Sequence, residues 1–251
     1  MYTLRSHIDD VYLEFLHCDS TDVCFIFLDG LPTNNPSKRE LLYSFYQKGY
    51  SGIAFRYRGT RESKGQFLQS SPSTDVKLIL SYLQNHLLLD QYNKVEYDFS
   101  SKKFVLVGSS FGGAVLLDSI FSNVYKFILV SPVISIKDFN AQNPGNDLYK
   151  LQDFLTNGFG NAYNFHSDDW RKMCDGKLFE PDYRIISIRK NDMFLIYSVD
   201  DKTVSSQSIE SFIDKIQLQR FLKLENYGHM SFQKFDSEIV SQIINFVENT
   251  D

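Results

Sequence analysis

The sequence predicts an α/β protein built on a mainly parallel sheet with crossover helices, on three observations. Short apolar runs alternate with segments whose apolar residues repeat at helical spacing, as strands and their crossover helices require. Some runs, Val23–Leu28 (VCFIFL) most clearly, are apolar without a break, as a strand covered on both faces should be. The length of 251 residues suits one such domain with a small insertion, and one core can bury most of its surface.

Taken in order, Val11–Leu16 (VYLEFL) alternates and is expected to pair with the preceding segment as an antiparallel edge. Val23–Leu28 ends at Asp29-Gly30, where a turn begins. A helix is expected to open near Pro36 with Asn35 as its cap. Leu41, Leu42, Phe45 and Tyr46 are its apolar stripe and Gly49 its C-terminal cap. Residues 52–57 (GIAFRY) form the next strand. A polar loop, 58–72, then leads to a helix marked by Val76, Ile79, Leu80, Leu83 and Leu87.

Residues 103–108 (KFVLVG) are a strand that runs directly into a glycine- and serine-rich turn. After that turn Ala114, Val115, Leu117, Ile120 and Phe121 supply the buried face of a helix. Residues 126–132 (KFILVSP), 193–199 (MFLIYSV) and 219–225 (QRFLKLE) are further strands. Ile209, Phe212, Ile213 and Ile216 mark a helix between the last two, and Phe235, Ile239, Ile243 and Val247 a final amphipathic one. The rhythm breaks from 135 to 191, a stretch rich in Asn, Asp, Gly and aromatic residues and longer than an ordinary connection. The expected division is a core of 1–134 and 192–251, with 135–191 inserted as a small helical cap over the functional edge of the sheet.

Composition narrows the function classes. A formal net charge of -5, with Arg56, Arg58 and Arg61 as the densest basic group, argues against a nucleic-acid partner, which needs clustered cations. No stretch approaches the roughly 20 apolar residues of a membrane span. The opening MYTLRSHIDD lacks the apolar centre of a signal peptide. Cys18, Cys24 and Cys174 are odd in number and lack CxxC spacing, so neither a disulfide framework nor a zinc knuckle is expected. Cys24, inside an apolar run, is expected in the core, and the cytoplasm is the expected compartment. Monomer and homodimer both remain open.

The chemistry centres on Gly108-Ser109-Ser110-Phe111-Gly112, which matches G-x-S-x-G with Ser110 in the middle. A serine on a sharp strand-to-helix turn projects its hydroxyl, and the helix N-terminus favours the negative charge of acyl transfer. The bland alternative is a small-residue turn of no chemical consequence. A serine is a weak nucleophile at its free pKa, so a base must accompany it. Among the five histidines, His7, His17, His86 and His166 suit surface or packing roles. His229 differs, because its loop directly follows the last strand and can reach back across the sheet end. Asp200 and Asp201 stand just beyond an apolar strand, where either could orient the imidazole or merely cap a turn. The order Ser110, Asp201, His229 is that of the strand-turn-helix version of a catalytic triad.

The ordered set FLDGLP (27–32), RYRGTRESKG (56–65), GSSFGG (108–113), VDDKTV (199–204) and YGHMSF (227–232) resembles the α/β-hydrolase superfamily over nearly the whole chain. The resemblance implies the α/β-hydrolase fold: a mostly parallel sheet of about eight strands flanked by helices, with the cap inserted. It selects Asp201 as the acid, since the family's acid stands three places before the valine of a D-x-x-V motif, here Val204. It implies an oxyanion hole from the amides of Phe111 and Leu31 and no metal or organic cofactor. Asp29-Gly30 departs from the family's usual His-Gly and places a carboxylate near a developing negative charge. That acid is expected to turn away or to pair with Arg56, Arg58 or Arg61.

The function expected is cleavage of a modestly hydrophobic carboxylic ester, a small molecule, through an acyl-enzyme on Ser110. Phe139, Tyr149, Phe154, Phe159, Tyr163, Phe165 and Trp170 of the insertion either line the pocket or pack the cap's own core. A thioesterase or aminopeptidase would share fold and triad, and a non-catalytic ligand-binding protein on this fold is a third reading. A dinucleotide-binding protein is not expected, because the glycines lack G-x-G-x-x-G spacing and follow a late strand.

Overall fold

The structure is a computed structural model, and it describes residues 2–32, 38–142, 148–230 and 232–249. Asn35 and Pro36, the expected helix cap and first turn, lie outside the described residues.

The chain opens with β1 (Leu4–Ile8) and β2 (Val11–Leu16), the expected antiparallel edge. β2 reads as alternating, yet all of its side chains are buried, including Glu14, because its polar position faces a buried arginine. β3 (Val23–Leu28) follows, then α1 (Arg39–Tyr46), which buries Leu41, Leu42 and Phe45. Gly49 closes that helix at a left-handed φ of 90°, and the Tyr50 N–H reaches back to the Phe45 carbonyl at 3.1 Å. β4 (Ser51–Phe55) and α2 (Ser73–Asn85) come next. Val76, Ile79, Leu80 and Leu83 form the buried stripe of α2, but Leu87 lies past its end and is exposed. There the chain turns into a small hairpin, β5 (Leu88–Leu89) and β6 (Glu96–Tyr97), and Leu88 takes the buried place.

β7 (Lys103–Ser109) leads into α3 (Phe111–Leu117), which is buried on every side. Ile120 and Phe121, expected on its inner face, lie beyond its last turn but still pack against the core. After β8 (Lys126–Val130), the stretch before the next strand holds α4 (Ile136–Gln142), α5 (Leu148–Gly158), α6 (Ser167–Cys174) and α7 (Tyr183–Ile188). The chain ends with β9 (Met193–Ser198), α8 (Ser206–Ile216), β10 (Phe221–Leu224) and α9 (Ser237–Glu248).

Eight strands form one sheet in the order β1-β2-β4-β3-β7-β8-β9-β10, and every pairing from β4 to β10 is parallel. Parallel strands must be covered on both faces, and two apolar clusters do this. One packs α2, α3 and α8 against Ile26, Leu106 and Leu129, and the other packs α1 and α9 against Phe25, Val107 and Ile128. Cys24 lies in the first cluster with no exposed surface, and burial pushes its thiol pKa up. The free edge of β1 is partly closed by the turn of the β5–β6 hairpin, for the Arg5 N–H donates to Asp90 Oδ1 and the Gln91 N–H donates to the Arg5 carbonyl. The parallel strands all point their C-terminal ends the same way, and the loops after β3, β7, β9 and β10 gather there.

Candidate active site

The turn between β7 and α3 is sharply strained. Ser110 stands at φ 55° and ψ -118°, a region that L-residues avoid, and holding it costs about 1–3 kcal/mol. Surrounding backbone pins it: the Ser110 N–H donates to the Val130 carbonyl at 3.0 Å, while its own carbonyl accepts from Gly113 at 2.9 Å and Val133 at 3.0 Å. The glycines of the motif are required by close approach rather than by unusual φ. A methyl group at Gly112 would lie 2.0 Å from the Leu28 carbonyl oxygen, and one at Gly108 2.4 Å from that of Gly112. The first turn of α3 therefore rests directly against the end of β3.

That contact sets the proposed oxyanion loop beside the serine. An added Cβ at Gly30 would sit 3.6 Å from Ser110 Oγ. The backbone N–H groups of Leu31 and Phe111 have no hydrogen-bond acceptor among the described residues. Amides left without partners beside a serine hydroxyl are donors available to an oxyanion. Tyr57, wholly buried and with its pKa raised by that burial, donates to the Asp29 carbonyl at 3.1 Å and fixes the loop's entry.

Asp201 follows β9 and His229 follows β10, as expected from the sequence. His229 Nδ1 and Asp201 Oδ2 are 2.8 Å apart. The other carboxylate oxygen accepts the N–H groups of Thr203 at 2.8 Å and Val204 at 3.0 Å. Burial is the largest influence on the Asp201 carboxyl and pushes its pKa up. The bond and charge of His229 with the two amides outweigh it and hold the group below the usual carboxylate range. Asp200 does not face the imidazole. It accepts from the Ser198 hydroxyl and from the Gly228 N–H at 3.1 Å, and so braces the histidine loop. Among the described residues no hydrogen bond closes the remaining link from Ser110 Oγ to His229. Such bonds commonly tighten only when substrate is bound.

Three residues act here in ways the sequence reading missed. Ser109, expected only to be small, donates to the Met230 carbonyl at 3.2 Å, and Ser131 Oγ accepts the Met230 N–H at 3.2 Å. Together they tie the residue after His229 to the ends of β7 and β8. The third is Lys38, whose Nζ is 2.9 Å from Asp29 Oδ1, with both groups buried. Arg56, one of the three arginines expected to pair with Asp29, stands at 3.8 Å and also faces Glu14 at 3.9 Å. The other two arginines are engaged elsewhere. Arg58 pairs with Asp75 at 3.4 Å, and Arg61 stacks over the Phe159 ring at 5.5 Å.

Ser110 opens on a cavity of about 310 Å³, lined by Leu31, Pro32 and Phe111 on the core side and by Ile136, Phe139, Leu151, Phe154, Trp170 and Met173 from the helices between β8 and β9. Of the aromatic residues with two expected roles, Phe139, Phe154 and Trp170 line this cavity. Phe159, Tyr163 and Phe165 pack on the core, and Tyr149 is exposed. A larger cavity of about 740 Å³ lies at the far edge by Tyr2, Arg5 and Tyr92 and contains none of the candidate residues. Among the described residues no group of His, Cys, Asp or Glu could hold a metal ion, and no helix is long and apolar enough to cross a membrane.

The sheet order, the flanking helices and the sharp turn from β7 into α3 are those of the α/β-hydrolase fold. Solved structures agree with it over almost the full length of the chain. An esterase from Pyrococcus furiosus superposes with a TM-score of 0.66 at 17% identity, covering 98% of this chain and 90% of that one. A carboxylesterase of Nitrososphaera gargenis gives 0.61 at 14% identity, covering 98% of each. An α/β serine hydrolase without a lid from Xanthomonas campestris gives 0.59 at 12%, covering 100% of this chain and 95% of that one. No model of a protein family matches the chain, and no curated protein matches it by sequence.

Proposed function

We propose that this protein is a serine hydrolase that cleaves a carboxylic ester of modest size through an acyl-enzyme on Ser110. The observation that carries the reading is the His229–Asp201 hydrogen bond of 2.8 Å on loops flanking a serine held at φ 55°. In the proposed reaction His229 Nε2 removes the Ser110 proton, and Ser110 Oγ attacks the ester carbonyl. The amides of Leu31 and Phe111 hold the resulting oxyanion. His229 then protonates the leaving alcohol, and water, activated by the same imidazole, releases the acid. Residues 135–191 are proposed as a cap on the core formed by 1–134 and 192–251, because their helices supply the outer wall of the cavity beside Ser110. The cytoplasm is the proposed setting, in keeping with three free cysteines and an acidic chain.

Labelling with a fluorophosphonate probe tests the reading. The label is expected on Ser110 and should vanish in Ser110→Ala, while p-nitrophenyl ester hydrolysis should be lost in both Ser110→Ala and His229→Ala. Full esterase activity in His229→Ala would overturn it. The open Ser110–His229 link favours a second reading, a ligand-binding protein without turnover. Binding of esters with no release of p-nitrophenol across acyl lengths would select that one.

A further inference from the structure

The cavity beside Ser110 is mainly apolar, with Ser110, Thr203 and Lys150 as the polar residues of its described lining. Among its described lining residues Lys150 is the only charged one. It stands on α5 one turn before Phe154, so the two share a helix face. Both line the cavity and both are exposed, Phe154 at 53%, which puts them at its rim. Lys150 makes no ion pair among the described residues, and Asp153, three places along the helix, does not engage it. The positive character continues behind this rim. Phe154 meets Phe159 edge to face at 5.4 Å, and the Arg61 guanidinium lies over the other ring at 5.5 Å. Among the described residues Arg61 has no carboxylate partner, and its Nε and one terminal nitrogen are buried without an acceptor.

A mainly apolar cavity that a serine opens on, with a lysine at its rim that pairs with no carboxylate among the described residues, is complementary to one kind of molecule. Its body must be apolar, and its far end must carry a negative charge. The cavity, near the lower end of the roughly 300–1,000 Å³ usual for small-molecule sites, limits that body to a short chain. We propose that the substrate is a monoester of a dicarboxylic acid, with Lys150 as the specificity-determining residue that pairs with the free carboxylate of the acyl chain. This rests on the proposed hydrolase function and adds the substrate class to it.

The test compares kcat/KM for mono-p-nitrophenyl adipate with that for p-nitrophenyl heptanoate, a neutral ester of similar length. The parent protein is expected to favour the anionic ester by about fivefold, the size of an ion pair at a partly exposed site. The preference should grow at low salt and shrink at high salt. Lys150→Met should bring the ratio to about one, and Lys150→Glu should invert it. Lys150 is on the surface, so these variants should keep the parent melting temperature. A ratio at or below one in the parent, or one unmoved by both variants, overturns the proposal.

Binding separates this from the reaction itself. Monomethyl adipate and methyl heptanoate are titrated into Ser110→Ala protein with and without Lys150→Met. The same fivefold preference, lost with Lys150, is expected whether or not the parent turns esters over. Absence of turnover would then count against the hydrolase alone, and equal affinities would count against Lys150.

Discussion

Replacing Asp201 by asparagine probes the site more sharply than removing the acid. Oδ1 of Asp201 accepts two backbone N–H groups, from Thr203 at 2.8 Å and Val204 at 3.0 Å. In Asp201→Asn only the amide oxygen can satisfy those donors, since the amide nitrogen has protons and no free acceptor capacity. The NH₂ group is therefore forced to the other side, where Oδ2 now meets His229 Nδ1 at 2.8 Å. Nδ1 must then accept, and the imidazole proton moves to Nε2. A ring protonated at Nε2 cannot take the proton of Ser110, so the variant should hold its shape with the wrong tautomer.

Exchange of carboxylate for amide in a Ser-His-Asp triad costs about 10⁴ in kcat, equivalent to about 5 kcal/mol of barrier. The expected result is a fall of kcat on p-nitrophenyl butyrate by three to four orders of magnitude, roughly as that precedent implies. The substrate KM should stay close to the parent's, and the variant should remain folded but somewhat less stable than the parent at neutral pH, because it lacks the carboxylate whose pKa the fold holds down. Activity within tenfold of the parent would refute the reasoning, because it would mean that Asp201 does not set the imidazole tautomer.

Lys38→Met leaves buried Asp29, among the described residues, with only Arg56 at 3.8 Å as a cation partner and should cost about 3 kcal/mol, read by urea unfolding, or roughly 6–12 °C in Tm. Gly112→Ala puts a methyl 2.0 Å from the Leu28 carbonyl oxygen and should abolish Ser110 labelling together with a large loss of Tm. Because the folded state holds the Asp201 pKa below its ordinary 3.8, that carboxylate stabilises the fold above pH 3.8 and ceases to as pH falls through the folded value. The stability gap between the parent and Asp201→Asn should accordingly narrow on acidification, followed by urea unfolding at a series of pH values.

What was legible in the sequence was local. An unbroken apolar run followed by closely spaced glycines announces a strand entering a tight turn, so the surroundings of Ser110 were readable from its neighbours. Asp201 and His229 were candidates because each directly follows a strand, and only the D-x-x-V spacing of the family resemblance, ending at Val204, preferred Asp201 to its neighbour Asp200. The hidden part depends on contacts between distant segments. Lys38 precedes a helix like any surface lysine, and nothing near it shows that its backbone N–H will donate to Glu14, or that its ammonium will meet Asp29. Ser109 looks like filler until β10's loop folds back and offers it the Met230 carbonyl. Leu87 fits the period of α2 perfectly well, but the helix stops two residues earlier because the chain turns to form β5.

Asp29 illustrates how such distant contacts reconcile a local conflict. A lone carboxylate in the loop that is proposed to hold an oxyanion would oppose the charge that develops in the reaction. The fold does not leave it alone. Glu14, Asp29, Lys38 and Arg56 are all buried and linked, and at the rim Glu62 joins Arg56 at 3.3 Å and Arg5 joins Glu14 at 3.9 Å, so three acids face three bases and their formal charges cancel. From a point outside the cluster, Asp29 and Lys38 at 2.9 Å act as a dipole, whose field falls off faster with distance than that of a bare charge. The Leu31 amide can then dominate the local field, because Leu31 lines the same cavity as Ser110 and its N–H has no acceptor among the described residues. The histidine usual in the superfamily that the sequence resembles and this chain's Asp29–Lys38 pair are then two ways of placing a net-neutral group before the proposed oxyanion loop. The second requires β2, β4 and the approach to α1 to converge, which explains why Glu14 and Arg56 lie in the core rather than at the surface.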